Sequence, residues 1–295
     1  MSPTPSALQL PHGLSAATTV VGVIGDPVAH SLSPLLHNTA FEELGLDWVS
    51  VGFRVPAGRA ADALIGARAL GIRGLSVTMP HKDRVAELVD RRSAEAERLG
   101  AVNCIVDEDG AWVGRNTDGA GLVASLRRGD RFDPAGRRCL VVGAGGAARS
   151  VVEALAAAGA AEVIVVNRSA ERAERAADLA GSVGVVGTAD AATRCDLVVN
   201  ATPVGMDGID GPGSSGWPID PALLHGGQVV VDLVYHPATT PWLAAARAQG
   251  ADTANGLGML VHQAAFQLAA WTGLDQPVEA MWRALAGHDP SVPTG

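Results

Sequence analysis

The chain has 295 residues, 47% of them hydrophobic, and a formal net charge of -9 at pH 7. This length and apolar content predict two globular domains. Because the charge is negative and the arginines are scattered, the sequence lacks the basic face that binds nucleic acid or an anionic membrane, and we expect a small-molecule partner. No apolar run approaches the roughly 20 residues of a membrane span, and residues 1–19 do not resemble a signal peptide, so we expect a disordered tail there.

The first part of the chain alternates apolar segments with segments of helical periodicity, which predicts a largely parallel sheet. Strands are predicted over residues 20–24, 49–55 and 74–78, and helices over residues 31–44, 57–70 and 82–88. Ser33-Pro34 is interpreted as a capping residue followed by proline at the first helical position.

A hairpin interrupts this alternation. The predicted strands 102–106 and 111–115 flank Asp107-Glu108-Asp109-Gly110, and Asp-Gly is a strong hairpin-turn signal. The hairpin leads directly into Asn116-Thr117-Asp118, a helix over residues 119–128 and a polar connection over residues 129–138.

The second part begins with a complete strand-helix-strand unit over residues 139–142, 150–158 and 163–166. Further strands are predicted over residues 183–186, 197–200 and 229–232, and residues 206–220 form a Gly/Pro/Ser-rich loop that we expect to be mobile. The segment 257–271 is apolar on most sides, as in a helix that packs inside a protein, and we expect it to return to the first domain.

The turn between the first strand and helix of this unit matches G-x-G-x-x-A, the pattern of a dinucleotide-binding loop. Its glycines allow the backbone to approach a pyrophosphate, and the following helix N-terminus supplies N–H groups. The candidate phosphate-binding residues are Gly143, Ala144, Gly145, Gly146 and Ala147.

The end of the next strand distinguishes between two cofactors. An NAD site usually has a carboxylate there for the ribose hydroxyls. The present strand instead ends in Asn167-Arg168-Ser169, with Arg172 nearby, which suits a 2′-phosphate and favours NADP. The alternative is that Arg168 caps a helix or pairs with Glu171.

Lys82 is the only lysine in the chain, and the other 21 basic side chains are arginines. Arginine stays charged at any working pH, whereas a lysine amine can lose and regain a proton. Lys82 is therefore a candidate for proton transfer, and the alternative is a chance lysine on a solvated helix.

Neither disulfides nor a metal site are expected. The cysteines are odd in number, far apart and in apolar segments, which is typical of buried free thiols in a reducing cytosol: Cys104, Cys139 and Cys195. The eight histidines lack metal-ligand spacing such as H-E-x-x-H. We predict a cytoplasmic protein without a metal site, either a monomer or a homodimer.

Several of these motifs occur in one order along the chain, and together they resemble the shikimate dehydrogenase family. They are Ser-x-Ser at 31–33, Val-Thr-x-Pro-x-Lys at 77–82, Asn103, Asn-Thr-Asp-Gly at 116–119, Gly-Ala-Gly-Gly-Ala at 143–147 and Asn-Gly-Leu-Gly-Met-Leu at 255–260. The resemblance covers residues 20–282 and implies reversible hydride transfer between NADPH and 3-dehydroshikimate, in the route to chorismate and the aromatic amino acids.

The resemblance and the predicted elements together give an α/β fold with two domains. We expect a mixed α/β substrate domain over residues 20–118 and a doubly wound, Rossmann-type NADP-binding domain over residues 119–256. C-terminal helices over residues 257–288 are expected to pack on the first domain.

The resemblance also implies roles for individual residues. Lys82 and Asp118 correspond to the catalytic pair. The residues implied to bind substrate are Ser31, Ser33, Thr78, Asn103, Tyr235 and Gln263. Beyond the glycine loop and residues 167–172, the residues implied to bind cofactor are Thr202, Leu233, Gly256 and Met259. The alternatives are ordinary turn, cap, strand-end and core roles.

One position departs from the family pattern, because Ser76 stands where asparagine is common. Ser76 and Thr78 would share one face of a strand and could reach the same ligand. This departure leaves quinate or aminoshikimate as alternative substrates. A non-catalytic NADP sensor is a further alternative, although it would not need the pair formed by Lys82 and Asp118.

Overall fold

The computed structural model describes residues 13–128, 132–206 and 216–288. The chain divides into two compact units: unit 1 comprises the residues up to Thr117 and from Ala264 onward, and unit 2 runs from Asp118 to Gln263. Residues 1–12 of the predicted tail and 207–215 of the predicted mobile loop lie outside the described residues. None of the described helices is long and apolar enough to cross a membrane.

The first part of the chain forms six strands and four helices. In chain order they are β1 (Thr19–Gly25), α1 (Ser33–Glu43), β2 (Trp48–Arg54), α2 (Ala60–Ala69), β3 (Gly74–Val77), α3 (Lys82–Leu88), β4 (Arg91–Arg92), α4 (Ala94–Leu99), β5 (Cys104–Glu108) and β6 (Ala111–Arg115).

These strands form the mixed sheet of unit 1, in the order β2-β1-β3-β5-β6-β4. β1 is parallel to β2 and β3, whereas β5 is antiparallel to both β3 and β6. The predicted hairpin reverses the chain direction, because Asp109 and Gly110 have φ values of 54° and 84°, as in a two-residue type I′ turn. The parallel pairs and the hairpin are therefore confirmed.

The second part of the chain forms six strands and six α-helices among the described residues, besides three short 3-10 helices. They are α5 (Asp118–Arg128), β7 (Arg138–Val142), α6 (Gly146–Ala157), β8 (Glu162–Val166), α7 (Ala170–Asp178), β9 (Gly184–Val186), β10 (Leu197–Asn200), β11 (Val229–Asp232), α8 (Pro241–Ala248), β12 (Asp252–Ala254), α9 (Leu257–Thr272) and α10 (Val278–His288).

The sheet of unit 2 is parallel throughout, in the order β12-β11-β10-β7-β8-β9. Its central strands are almost entirely apolar and buried, as expected when helices cover both faces. The strand order reverses at β7, whose neighbours are β8 and β10, and ligands of doubly wound sheets bind at such a switch point. The predicted Rossmann-type fold is confirmed.

The last helices return to the first part of the chain, as predicted. α9 begins in unit 2, but its residues from Ala264 onward belong to unit 1 together with α10. There α10 packs against α1, and the indole Nε1 of Trp271 donates a 2.9 Å hydrogen bond to the carbonyl oxygen of Ile105. The domain boundaries inferred from the sequence remain a prediction.

Five elements were not predicted: β4, α4, α7, α8 and β12. They are too short to show clear periodicity or, in α7, bury only alanines. All three cysteines are buried, as predicted, and burial raises the thiol pKa values of Cys104 and Cys139 to about 12.

Candidate active and nucleotide-binding sites

The predicted substrate residues of unit 1 gather at one edge of its sheet. β1 and β3 are parallel, so the segments that follow them, with Ser31 and Thr78, leave the sheet at the same edge. β5 is antiparallel to β3, which brings its start to this edge as well: the backbone N–H of Val77 donates to the carbonyl oxygen of Asn103 at 2.8 Å. The segments that carry five candidate residues from separate parts of the sequence therefore meet the sheet at this edge: Ser31, Ser33, Thr78, Lys82 and Asn103.

Lys82 is the first residue of α3 and is half-buried. Its carbonyl oxygen accepts a 3.0 Å hydrogen bond from the backbone N–H of Val102. The preceding His81 is buried, and its Nε2 lies 2.7 Å from the carbonyl oxygen of Val55. The backbone that carries the only lysine is thus fixed to two neighbouring segments.

The predicted cap at the start of α1 is wrong. Leu32, not Ser33, is the N-cap residue, and Ser33 is already the first helical residue. The Ser33 hydroxyl makes no hydrogen bond with any other residue in the described ranges, whereas the Ser31 hydroxyl accepts one from the backbone N–H of Ser33 at 3.3 Å. A serine that does not cap its helix can present its hydroxyl to a ligand.

The side-chain amide of Asn103 is held in one orientation by Thr117. Oδ1 accepts a 2.8 Å hydrogen bond from the backbone N–H of Thr117, and Nδ2 donates to the Thr117 hydroxyl at 2.9 Å. Because a backbone N–H can only donate, the oxygen of the amide must face it. Thr117 was quoted only as part of a motif in the sequence and gains a positioning role from this geometry.

Ser76 lies on the face of β3 opposite Leu75 and Val77, which belong to the apolar core of unit 1. It is buried, with 5% of its surface exposed, and its hydroxyl has no hydrogen-bond partner among the described residues. Thr78 lies just beyond the end of β3, so the predicted strand is one residue too long.

The glycine loop of unit 2 fits a nucleotide. Gly143 follows β7 with φ of 119°, and a Cβ atom there would lie 3.0 Å from the carbonyl oxygen of Ala201. A Cβ at Gly145 would meet no atom within 4 Å, and this residue is the N-cap of α6 without a side-chain cap. The turn therefore leaves open space at a helix N-terminus, which suits a pyrophosphate.

Arg168 follows β8 and is exposed. Neither it nor Arg172 forms an ion pair or hydrogen bond through its side chain within the part of the chain that the structure describes. The two alternatives for Arg168 are not realised, because the cap of α7 is Ser169 and Glu171 pairs with Arg175. The remaining candidate, Asn167, donates through Nδ2 to the carbonyl oxygen of Ser169 at 3.1 Å.

A buried network that the sequence did not predict stabilises the loops after β10 and β11. The Asp232 carboxylate accepts hydrogen bonds from Asn200 Nδ2 at 2.9 Å, the backbone N–H of Val234 at 3.1 Å and the Thr240 hydroxyl at 2.7 Å. Asn200 Oδ1 in turn accepts from the Thr202 hydroxyl at 2.6 Å. Burial raises the pKa of Asp232, opposed by these hydrogen bonds.

Backbone hydrogen bonds also fix the two loop residues Leu233 and Gly256, which the resemblance assigns to the cofactor. The backbone N–H of Leu233 donates to the carbonyl oxygen of Asn200 at 3.0 Å, and that of Gly256 donates to Val234 at 3.2 Å. Met259 is 9% exposed and packs in the apolar core of unit 2, so core packing accounts for much of its surface.

The two remaining substrate candidates lie in unit 2. Tyr235 is partly buried, and burial raises the pKa of its hydroxyl. Gln263 is 7% exposed and donates through Nε2 to the carbonyl oxygen of Leu260 at 2.9 Å. Asp118, the proposed partner of Lys82 by resemblance, begins α5 and is 4% exposed. No cluster of three or more potential metal ligands occurs in residues 13–128, 132–206 and 216–288.

Models of known families match three segments of the chain. The shikimate dehydrogenase substrate binding domain matches residues 23–105, shikimate/quinate 5-dehydrogenase matches residues 128–204, and the shikimate 5′-dehydrogenase C-terminal domain matches residues 256–286. NADP-dependent shikimate dehydrogenases from Methanopyrus kandleri and Citrifermentans bemidjiense are each 46% identical over 286 residues, covering 93% of this chain and 97% of theirs.

Solved structures give the same relationship. A shikimate dehydrogenase in complex with NADP+ has a TM-score of 0.85 at 35% identity and covers 99% of both chains. The Thermus thermophilus shikimate 5-dehydrogenase with NADP(H) and shikimate has a TM-score of 0.82 at 37% identity, covering 90% of this chain and 98% of its own. A quinate dehydrogenase from Corynebacterium glutamicum in complex with NAD has a TM-score of 0.81 at 31% identity, with 91% and 98% covered.

Proposed function

This chain belongs to the shikimate dehydrogenase family, and from that premise we propose that it catalyses reversible hydride transfer between NADPH and 3-dehydroshikimate, giving shikimate and NADP+. The family resemblance drawn from the motifs is thereby confirmed. The observation that carries the proposal is the position of the only lysine, at the sheet edge where the predicted substrate residues of unit 1 gather. NADP, when bound, supplies or accepts the hydride.

Lys82 moves the proton of the reacting oxygen. In the direction of shikimate formation the substrate carbonyl becomes a hydroxyl, so its oxygen must gain one proton, which the Lys82 ammonium donates. In the reverse direction the neutral amine takes the proton of the hydroxyl as hydride leaves the same carbon. Asp118 is the partner that the resemblance assigns to Lys82, with the role of holding the lysine and tuning its basicity.

Other side chains bind the substrate in this proposal. Ser31 and Ser33 bind the carboxylate, supported by the Ser33 hydroxyl that no described residue engages. Thr78 and Asn103 bind ring hydroxyls, and the fixed amide of Asn103 supports a directional contact. Tyr235 and Gln263 contribute to the carboxylate end.

Residues at one edge of the parallel sheet in unit 2 would hold the cofactor. The loop 143–147 binds the pyrophosphate, while Arg168, together with Asn167, Ser169 and Arg172, binds the 2′-phosphate. Thr202, Leu233, Gly256 and Met259 contact the nicotinamide half. Two guanidinium groups that pair with none of the described residues, at a strand end without a carboxylate, support NADP over NAD.

The direct test is an assay of the purified protein with shikimate and NADP+, followed by the absorbance of NADPH. We expect turnover with this pair and much less with NAD+. The Lys82→Arg variant, which preserves the charge and which we expect to be nearly inactive, is the matched control for contaminating dehydrogenases. Failure to reduce NADP+ with shikimate would contradict the proposal.

Ser76 favours a second candidate, because its short side chain replaces the asparagine common in the family and leaves room for a different ring substituent. Quinate or aminoshikimate dehydrogenation would use the same catalytic pair. The ratio of kcat/KM for quinate and shikimate distinguishes the two functions. A strong preference for quinate would make shikimate the minor substrate.

We also propose a cytoplasmic location, which the three buried thiols support because they suit a reducing compartment. The partners are the substrate and NADP rather than nucleic acid, and the chain acts as a monomer or a homodimer. The substrate domain spans residues 20–118 and the NADP-binding domain residues 119–256 in this proposal.

A further inference from the structure

Two buried side chains of α9 bind main-chain carbonyl groups at the start of β5. Gln267 donates through Nε2 to the carbonyl oxygen of Asn103 at 2.9 Å, and Trp271 donates through Nε1 to that of Ile105 at 2.9 Å. The donors are one helical turn apart and the acceptors two residues apart, so one face of the helix meets one edge of the strand. Of the two contacts, only the first ends on a residue proposed to bind substrate.

The close approach of this helix depends on Gly74 in the neighbouring strand β3. A Cβ atom at Gly74 would lie 2.4 Å from Nε1 of Trp271, well inside contact distance. The carbonyl oxygen of Asn103 accepts two hydrogen bonds, one from Nε2 of Gln267 and one from the backbone N–H of Val77 at 2.8 Å. Thr117 fixes the side-chain amide of the same residue, so both ends of Asn103 are held.

A buried histidine, His37, interacts with the side chain of Gln267. His37 is fully buried, its ring packs edge-on against Trp271 at 4.8 Å between centroids, and its Nδ1 lies 3.1 Å from the Ser50 hydroxyl. Burial lowers the pKa of His37 to about 3, and the side chain of Gln267 opposes this shift. The ring is therefore neutral at ordinary pH.

The neutral ring explains how the amide of Gln267 is oriented. If Nδ1 accepts from Ser50, Nε2 carries the proton and can only donate. Nε2 of His37 and Oε1 of Gln267 are both buried, and neither forms a hydrogen bond of normal geometry with any described residue. A donor and an acceptor of this kind complement each other, and pairing them leaves Nε2 of Gln267 facing Asn103.

We propose that Gln267, oriented by His37, is a positioning residue that holds Asn103 in place for the substrate. Gln267 does not touch the substrate in this proposal; it acts through the main chain of Asn103. The inference rests on the proposed function, since it requires that Asn103 binds a substrate hydroxyl. It assigns a role to the C-terminal helix that lies 164 residues from Asn103 in the sequence.

The test compares Gln267→Met with Trp271→Phe. Both variants remove one buried hydrogen bond between α9 and the start of β5 and leave an apolar side chain in its place, so both should lower the melting temperature. Gln267→Met should also raise the KM for shikimate about 3- to 10-fold, the range for one hydrogen bond, without changing the KM for NADP+. Trp271→Phe should leave both constants nearly unchanged.

Equal increases in the KM for shikimate in the two variants would overturn the inference, because they would show a general effect of helix docking. Should the methionine variant fail to fold, Gln267→Asn, which retains an amide but is one methylene shorter, is read in the same way.

Asn103→Ala separates this inference from the proposed function. If Asn103→Ala raises the KM for shikimate and Gln267→Met does not, the inference alone is wrong. If Asn103→Ala has no effect on shikimate, the substrate role of Asn103 fails and the inference fails with it. If both single variants raise the KM for shikimate, the double variant should have a KM no higher than that of Asn103→Ala, because Gln267 acts through Asn103.

Discussion

Replacing Arg168 by alanine should change cofactor choice without much change in stability. The side chain is exposed and makes no ion pair or hydrogen bond within the described residues, so the folded protein loses little when it is removed. Arg168 lies two residues after the end of β8, the place where a Rossmann-type fold binds the ribose of the cofactor. NADP+ and NAD+ differ there by one phosphate.

The expected effect follows from the kind of contact. A hydrogen bond to a charged group contributes about 1.5 to 3 kcal/mol, which corresponds to a weakening of NADP+ binding by about 10- to 150-fold. Arg172 lies in the first turn of α7 and is also exposed, so it can retain part of the phosphate affinity and favour the lower end of this range. NAD+ affinity should change less than about 2-fold, because it lacks the group that Arg168 binds.

The assay is a titration of each variant with NADP+ and NAD+ in the same buffer, because phosphate contacts depend on ionic strength. Arg175→Ala is the matched control: Arg175 lies on α7, is also exposed, and pairs with Glu171. It should leave both affinities unchanged. Equal weakening of NADP+ and NAD+ by Arg168→Ala would refute the assignment of the 2′-phosphate.

Three further predictions concern the substrate site and the buried core. Lys82→Ala should lower kcat about 100-fold or more, and Lys82→Arg should restore little, because arginine cannot release its proton; near-normal kcat in the arginine variant would reduce Lys82 to an electrostatic anchor. Ser76→Asn should lower the KM for shikimate with little change in kcat. A Ser76→Asn variant that loses shikimate activity, while the parent strongly prefers quinate or aminoshikimate, would show that shikimate is the wrong substrate. His37 has its pKa lowered from 6.5 to about 3, so the unfolded state takes up a proton first as the pH falls. Its contribution to stability is present above about pH 6.5 and is lost toward pH 3, with about 2 kcal/mol lost between pH 7 and pH 5. Urea unfolding of His37→Phe should show a weaker pH dependence over this range, and an unchanged dependence would exclude His37 as its source.

The sequence predicted the features that local physical chemistry determines. The Asp109-Gly110 turn needs two residues that tolerate positive φ, and the loop at Gly143 needs a residue without Cβ close to a carbonyl oxygen. Both requirements are visible in a few adjacent letters. Lys82 was visible for a different reason, since its residue type is unique in the chain.

The cap at α1 could not be located to the residue in the same way. A serine before proline fits the N-cap position and the first helical position almost equally well, and the choice depends on the backbone of Leu32. The network around Asp232 depends on Asn200 and Thr240, which meet only when β10 and β11 are adjacent. No local sequence pattern indicates that these side chains come into contact.

This difference between local and distant determinants has a functional consequence. The residues proposed to bind the substrate lie just outside the ends of apolar strands, as Thr78 and Asn103 do, so the sequence marks them by an abrupt change in composition. The proposed positioning residue Gln267 lies instead on a helix far away in the sequence, where most of the neighbouring side chains are apolar. A buried polar side chain without a local partner lowers stability unless a distant group satisfies it. A buried polar residue on a largely apolar helix is therefore evidence of a specific distant partner. In this chain the partner of Gln267 is the main chain of Asn103, a residue proposed to bind the substrate.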